Sequence, residues 1–213
     1  FARLSYIPFD GIVPAGFEAG KPLPEAAQQA LAKSAVREDS VTAQEDKRLL
    51  SLLAQSPRYQ GLSLCGFEST IDLAAEEQFA ALTIRMPLGA CVSYRGTDGT
   101  LVGWKEDFNM TFCYPVPGQA LAAKYLNMVA ERFSNPFYVG GHSKGGNLAL
   151  YAAVKCDPQI RKKIIQGISN DGPGLMPGTY TAEEFDAIRE RCTLIVPEKD
   201  GIGTIYEMDR KKK

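Results

Sequence analysis

The sequence is poor in histidine, cysteine and net charge, and each shortage excludes a class of function. One histidine, His142, and five scattered cysteines give no spacing typical of a metal site, so we expect no metal and no cofactor. The 24 basic and 25 acidic residues leave a formal net charge of −1, which offers no general attraction for nucleic acid. A small-molecule substrate is the partner that this composition favours.

The sequence also contains no apolar run of transmembrane length and no lipidation signal. We therefore expect no stable insertion into a membrane. The odd number of cysteines, mostly within apolar runs, favours reduced thiols and a cytoplasmic location. The chain begins with Phe1 rather than Met, so an upstream signal stays open, as does the oligomeric state.

Length and hydrophobic pattern predict a single α/β domain over residues 1–213, because a chain of this size with 45% hydrophobic residues suits one core. Residues 1–60 are predicted to be helical and irregular, and residues 61–213 to form the sheet core. The predicted strands lie at 62–67, 78–84, 90–94, 137–140, 164–168 and 192–196. The predicted helices lie at 25–35, 43–55, 104–108, 119–133, 145–155 and 181–190. The alternation in the second half predicts a mostly parallel sheet with helices on both faces, and ligands at the carboxyl ends of its strands.

The stretch from Phe137 to Ala152, FYVGGHSKGGNLALYA, carries the strongest chemical signal. Gly141, Ser143 and Gly145 form Gly-x-Ser-x-Gly between a β-prone segment and a strong helix former, which predicts a sharp turn with a nucleophilic serine at its apex. The glycines remove side chains that would collide with neighbouring backbone. The backbone amide of Lys144 would lie at the N-terminus of the helix, where it stabilises an oxyanion. The alternative is a flexible glycine-rich turn.

A second motif lies earlier in the chain, with Tyr-Arg-Gly-Thr at residues 94–97 and Gly-Trp-Lys-Glu-Asp at residues 103–107. Acyl transfer needs two donors directed at one oxygen, and Lys144 supplies only one. In a sheet of this kind, the second donor is expected after the third strand. The alternative makes Arg95 to Thr97 an ordinary turn at a strand end and Trp104 a buried aromatic residue.

These motifs resemble the oxyanion loop of class 3 lipases, which are α/β-hydrolases. The resemblance implies that Thr97 donates its backbone amide, and often its hydroxyl, to the oxyanion. It also implies that Asp107 holds the loop, with Arg95 in a supporting position. More broadly, the chain from Ser5 through Gly174 resembles a bacterial family of uncharacterised, lipase-like hydrolases, which implies a fold and a catalytic type without a substrate.

The acid of a catalytic triad is expected after a late strand. In Leu-Ile-Val-Pro-Glu-Lys-Asp, which ends at Asp200, an aspartate follows Val-Pro as in class 3 lipases, so Asp200 is the predicted acid. Asp171 is the second candidate. The simpler interpretation is that Asp171 is a turn residue whose side chain hydrogen-bonds to its own backbone before Gly172. Glu198 is a third candidate on a loop.

The catalytic base is the unresolved part of the prediction. An α/β-hydrolase places its histidine after the acid, and no histidine follows Asp200. His142, next to the serine, is expected to point away from it. Three explanations stay open, of which we favour the first: a C-terminal strand and its histidine are missing from this sequence, the hydrolase is degenerate, or a lysine such as Lys144 or Lys199 replaces the base.

The sequence thus predicts a serine hydrolase of the lipase or esterase type, acting on an ester or thioester through an acyl-enzyme. The alternative is a catalytically silent module of the same fold that binds an acyl ligand or a protein partner. The apolar loops at residues 114–117 and 176–180 are expected to border the acyl site.

Overall fold

A computed structural model of the protein describes residues 1–36 and 42–198. Within these residues, seven strands form one sheet in the order β1-β2-β3-β4-β5-β6-β7. The strands are β1 Lys21–Pro22, β2 Ser63–Asp72, β3 Glu77–Met86, β4 Gly89–Tyr94, β5 Phe137–His142, β6 Ile164–Asn170 and β7 Cys192–Ile195. The helices are α1 Leu23–Ala32, α2 Ala43–Gln55, α3 Leu101–Asn109, α4 Pro117–Arg132, α5 Lys144–Lys155, α6 Pro158–Arg161 and α7 Ala182–Asp186. Three short 3-10 helices lie at Ala2–Tyr6, Pro57–Tyr59 and Arg189–Arg191.

The sheet is antiparallel in its first half and parallel in its second. Strands β1 to β4 pair in antiparallel fashion, and β4 to β7 pair in parallel. Short turns join β2 to β3 and β3 to β4, and the segment with α1 and α2 lies between β1 and β2. Each parallel connection crosses over through helices, as parallel pairing requires. The carboxyl ends of β4, β5 and β6 therefore meet at one edge of the sheet, where ligands bind in sheets of this kind.

Side chains alternate between two hydrophobic clusters, one on each face of the sheet. On β3, Phe79 and Ala81 pack into a cluster with α4 and α5, whereas Leu82 and Ile84 pack into a cluster with α1 and α2. Period-two alternation places these residues on opposite faces. Helices consequently cover both faces of the sheet, as the sequence predicted.

Besides shifts in element bounds and the short helix α6, which was not predicted, the structure departs from the predicted elements at two places. The two-residue strand β1 lies within the segment predicted to be helical and irregular, where Lys21 pairs with Leu64. The predicted helix at 181–190 ends at Asp186, and a 3-10 helix follows. There the side chain of Arg191 donates a hydrogen bond of 2.7 Å to the carbonyl of Ala187. In a continuing helix, the backbone N–H of Arg191 would have donated to that carbonyl instead.

None of the helices within the described residues is both long and apolar enough to cross a membrane.

Candidate active site

Ser143 lies at the apex of a sharp turn between β5 and α5. Its φ of 55° and ψ of −131° are a left-handed conformation that costs a non-glycine residue free energy. The backbone N–H of Ser143 donates to the carbonyl of Asn170 over 2.9 Å, which ties the turn to the end of β6. A Cβ at Gly141 would overlap the carbonyl of Gly145, so the turn requires glycine there. This strand–turn–helix geometry is the elbow that the sequence predicted, whereas the nucleophilic role of Ser143 stays a prediction.

The loop after β4 packs directly against this turn. Tyr94 pairs in register with Gly141 of β5, so the residues that follow the two strands emerge side by side. A Cβ at Gly96 would lie 3.2 Å from the Cβ of Ser143, which shows how closely the loop approaches. The sheet register thus brings the two predicted motifs together.

Thr97 and Asp107 are joined by a side-chain hydrogen bond, in which the Thr97 hydroxyl donates to Oδ2 of Asp107. Burial raises the pKa of Asp107, and the hydrogen bond from Thr97 opposes that rise. Because the Thr97 hydroxyl proton is directed at Asp107, the backbone amide of Thr97 is the donor better suited to an oxyanion.

The side chain of Lys144 is buried in a polar network that the sequence analysis did not identify. Its Nζ donates to both oxygens of Gln78, the carbonyl and Oε1, each at 2.8 Å, and to Oε2 of Glu106 at 2.7 Å. The Lys144 and Glu106 side chains are 1% and 0% exposed. Glu106 also accepts from the backbone N–H groups of Gln78, at 3.1 Å, and of Gly118, at 2.7 Å.

This network has two consequences. It connects the start of α5 to β3, α3 and α4, and so holds the Ser143 turn in place. An ammonium that donates three hydrogen bonds, one to a carboxylate, has no lone pair for a proton, so the arrangement argues against the Lys144 side chain as the base.

Tyr6, from the N-terminal 3-10 helix, bridges the two loops on the other side of Ser143. Its hydroxyl accepts from the Gly96 N–H at 3.1 Å, donates to the His142 carbonyl at 3.3 Å and lies 3.0 Å from His142 Nδ1. Burial raises the pKa of Tyr6 to about 12, so the hydroxyl keeps its proton at neutral pH. Tyr6 therefore positions the elbow and the loop after β4 relative to each other.

The acid candidates are less completely defined. Asp200 and Lys199 lie outside the described residues. Asp171 follows β6 with a φ of 52°, and its N–H donates to the Ile195 carbonyl at 2.7 Å. Glu198 is exposed. Asp171 thus has the strained backbone of a turn residue but lies at the same edge of the sheet as Ser143.

Two cavities of about 530 Å³ each open beside Ser143, and both are also lined by Thr97. The first, called here the apolar cavity, is lined mainly by apolar side chains: Trp104, Phe108, Met110, Tyr114, Pro173 and Met176. Tyr114 and Met176 come from the two loops that the sequence predicted to border this space. Trp104 is 63% exposed, so the alternative that made it a buried aromatic residue is wrong. The second, called the polar cavity, is lined by charged and polar side chains that include Arg3, Asp46, Arg95, Asp98 and His142.

A chain of hydrogen bonds fixes one wall of the apolar cavity. Asn147 donates to the carbonyl of Gly174 at 2.8 Å and accepts from Gln119 at 2.9 Å. Gln119 in turn accepts from the N–H of Val116 at 3.2 Å. The loop after β6 and the start of α4 are thereby joined through α5, and the polar atoms that make these bonds are satisfied.

Among residues 1–36 and 42–198, no three histidine, cysteine or acidic side chains are grouped closely enough to hold a metal ion. All five cysteines are free thiols.

Comparison with known proteins assigns the chain to a family. A family model described as Mbeg1-like matches residues 53–213. The chain belongs to the Mbeg1-like family. A comparison with curated proteins returns no match.

A solved structure of M37 lipase is similar to this Mbeg1-like chain, with 15% sequence identity and a TM-score of 0.51. The similarity covers 92% of this chain and 64% of the lipase, so the chain spans less than two thirds of the lipase's length. At this level of identity, the similarity concerns the fold. The mixed sheet, the elbow position and this neighbour together identify an α/β-hydrolase-like fold.

Sequence reasoning missed two residues of this Mbeg1-like site, Glu106 and Tyr6. Glu106 lies within the quoted Gly-Trp-Lys-Glu-Asp motif. Its neighbour Asp107 matched the lipase pattern and was assigned the role of holding the loop, whereas Glu106 was assigned none. On a helix the sequence signal for a buried face is an apolar residue three or four positions away, and Val102 and Met110, both buried, lie four residues before and after Glu106. Tyr6 contacts residues 90 and 136 positions away, which no local pattern predicts.

Proposed function

We propose that this Mbeg1-like protein is a serine hydrolase of the lipase or esterase type, which cleaves an ester or thioester through an acyl-enzyme. The observation that carries the proposal is the strained Ser143 conformation at the N-terminus of α5, next to an apolar cavity. Strain of this kind persists only where the surrounding structure enforces it, and it is concentrated at functional sites.

In the proposed reaction, Ser143 Oγ attacks the carbonyl carbon and its proton passes to a base. The backbone N–H groups of Lys144 and Thr97 stabilise the oxyanion. The N–H of Lys144 is free to do so because the first N–H of a helix has no partner within that helix. Collapse of the intermediate breaks the bond to the alcohol or thiol, which takes the proton, and water then hydrolyses the acyl-enzyme. Asp200 is proposed as the acid that orients the base. A histidine is the base expected for this fold.

The apolar cavity supports an acyl group as the substrate part that lies beside Ser143. Each buried methylene contributes about 0.8 kcal/mol, so kcat/KM should rise from acetyl through butyryl to octanoyl esters until the cavity is filled.

The test is hydrolysis of p-nitrophenyl acetate, butyrate and octanoate by the full-length protein. We expect turnover that increases with acyl length, falls to background in Ser143→Ala and is unchanged in the matched control Ser51→Ala on α2. Turnover that survives Ser143→Ala would refute the assignment of the nucleophile.

The second candidate function is a catalytically silent module that binds an acyl ligand. It is favoured by one observation: the single histidine of the chain lies on the elbow beside the serine, with Nδ1 against Tyr6. Absence of turnover together with tight binding of octanoate, measured by calorimetry, would support this candidate over the hydrolase.

A further inference from the structure

The polar cavity shares Ser143 and Thr97 with the apolar cavity, so the two spaces meet where the scissile bond of a substrate would lie. An ester bound at Ser143 has two parts, the acyl group and the alcohol. If the acyl group occupies the apolar cavity, the alcohol extends into the polar cavity.

The charged side chains of the polar cavity are arranged as two compensated pairs. Nε of Arg3 lies 2.5 Å from Oδ1 of Asp46, with side chains that are 34% and 6% exposed. Arg95 lies 3.5 Å from Asp98, with side chains that are 9% and 8% exposed. Among the described residues that line this cavity, two cations and two anions give a formal charge of zero.

This arrangement disfavours two classes of alcohol. A long apolar alcohol would cover the partly exposed side chain of Arg3 and remove water from its guanidinium without supplying hydrogen bonds in return, which costs free energy. An anionic alcohol would have to compete with Asp46 or Asp98 for a guanidinium, because each arginine already has a carboxylate partner and the like charge of that carboxylate opposes binding.

A neutral polyol fits the same lining. Its hydroxyl groups can donate to the carboxylates and accept from the guanidinium groups. Ile7, Pro8 and Val36 line the remaining part of the cavity and suit the C–H surfaces of such a molecule.

We propose that the polar cavity is the site for the alcohol part of the substrate, and that the substrate is a monoacyl ester of a neutral polyol, such as glycerol or a sugar. The proposal rests on the proposed hydrolase function and adds the substrate class. It separates this protein from an enzyme that acts on esters with apolar groups on both sides of the scissile bond.

The test compares three esters that share an octanoyl group: monooctanoylglycerol, octyl octanoate and octanoylglycerol phosphate. We expect kcat/KM for monooctanoylglycerol to exceed that for each of the others by roughly tenfold, the equivalent of one buried polar group left without a partner. A comparable kcat/KM for octyl octanoate would overturn the proposal while leaving the hydrolase function intact.

A charge change then tests the cavity directly. Asp46→Asn leaves Arg3 without its counter-charge, so the ratio of kcat/KM for the phosphate ester to that for monooctanoylglycerol should rise about fivefold or more. The matched control is Glu131→Gln, which removes the same charge from an exposed position on α4 outside the cavity. Thermal melting of both variants checks that each is folded.

The outcomes separate the two claims. An unchanged ratio in a folded Asp46→Asn variant would overturn the polyol site alone. No turnover of any ester, with no fluorophosphonate adduct on Ser143, would overturn the hydrolase function and the polyol site together.

Discussion

Lys144 and Glu106 form a buried ion pair, so we expect a large loss of stability when the charge of either partner is removed by mutation. The Glu106 carboxylate accepts from Lys144 and from the backbone N–H groups of Gln78 and Gly118. In Glu106→Gln, the amide group directs its NH₂ at one of these donors, and the ammonium of Lys144 stays buried without a counter-charge. Breaking a buried pair in this way costs about 3–5 kcal/mol.

The assay is thermal and denaturant unfolding of the purified variant. A loss of that size lowers the Tm of a domain of this length by roughly 6–20 °C, at about 2–4 °C for each kcal/mol. The matched control is Glu76→Gln, which removes one side of the exposed pair with Lys105, whose side chains are 41% and 65% exposed. We expect no resolvable change in Tm for this control.

A double-mutant cycle tests the reason for the loss. If the uncompensated ammonium is responsible, Glu106→Gln should cost much less free energy of unfolding in a Lys144→Met background than in the wild type. The reasoning would be refuted if Glu106→Gln cost less than about 1 kcal/mol, or cost the same in both backgrounds.

Three further predictions concern the site. Ser143→Gly should raise the free energy of unfolding by about 1 kcal/mol in thermal melts, because glycine adopts the left-handed conformation without strain; an equal or lower stability would contradict the strain. The difference in free energy of unfolding between the wild type and Tyr6→Phe should become smaller as pH rises from 10 to 12. Burial raises the pKa of Tyr6 to about 12 in the folded protein, so the stability that the neutral hydroxyl contributes is complete below pH 10 and is lost through that range. A difference that stays constant with pH would contradict a buried, neutral hydroxyl. In the hydrolase, Asp200→Asn should reduce kcat by roughly 10⁴ and Asp171→Asn by far less, and the reverse order would assign the acid to the end of β6.

The elements that the sequence predicted well are those with a local pattern. Phe79 and Leu82 on β3 face opposite clusters, as their spacing in an apolar run rich in strand-forming residues allows. The elbow was predictable because its glycines, its serine and its flanking segments are contiguous. The type of each core strand and helix followed from the same kind of signal.

The features that the sequence did not predict depend on contacts between distant segments. Strand β1 consists of Lys21 and Pro22, a pair with low strand propensity that is held by pairing to the edge of the sheet. The Lys144–Glu106 pair joins residues 38 positions apart, and neither residue type predicts burial. Asp200 lies outside the described residues, so its role as the acid stays a prediction.

The measurement that tests the central claim most directly is active-site labelling with a fluorophosphonate, followed by peptide mass spectrometry. The account predicts one stoichiometric adduct on Ser143 in the folded, full-length protein, lost in Ser143→Ala and retained in Ser51→Ala. It also predicts that heat-denatured protein is not labelled, because the activating geometry exists only in the fold. Labelling that persists in Ser143→Ala, or an unlabelled Ser143 in folded protein, would contradict the claim that this serine is an activated nucleophile.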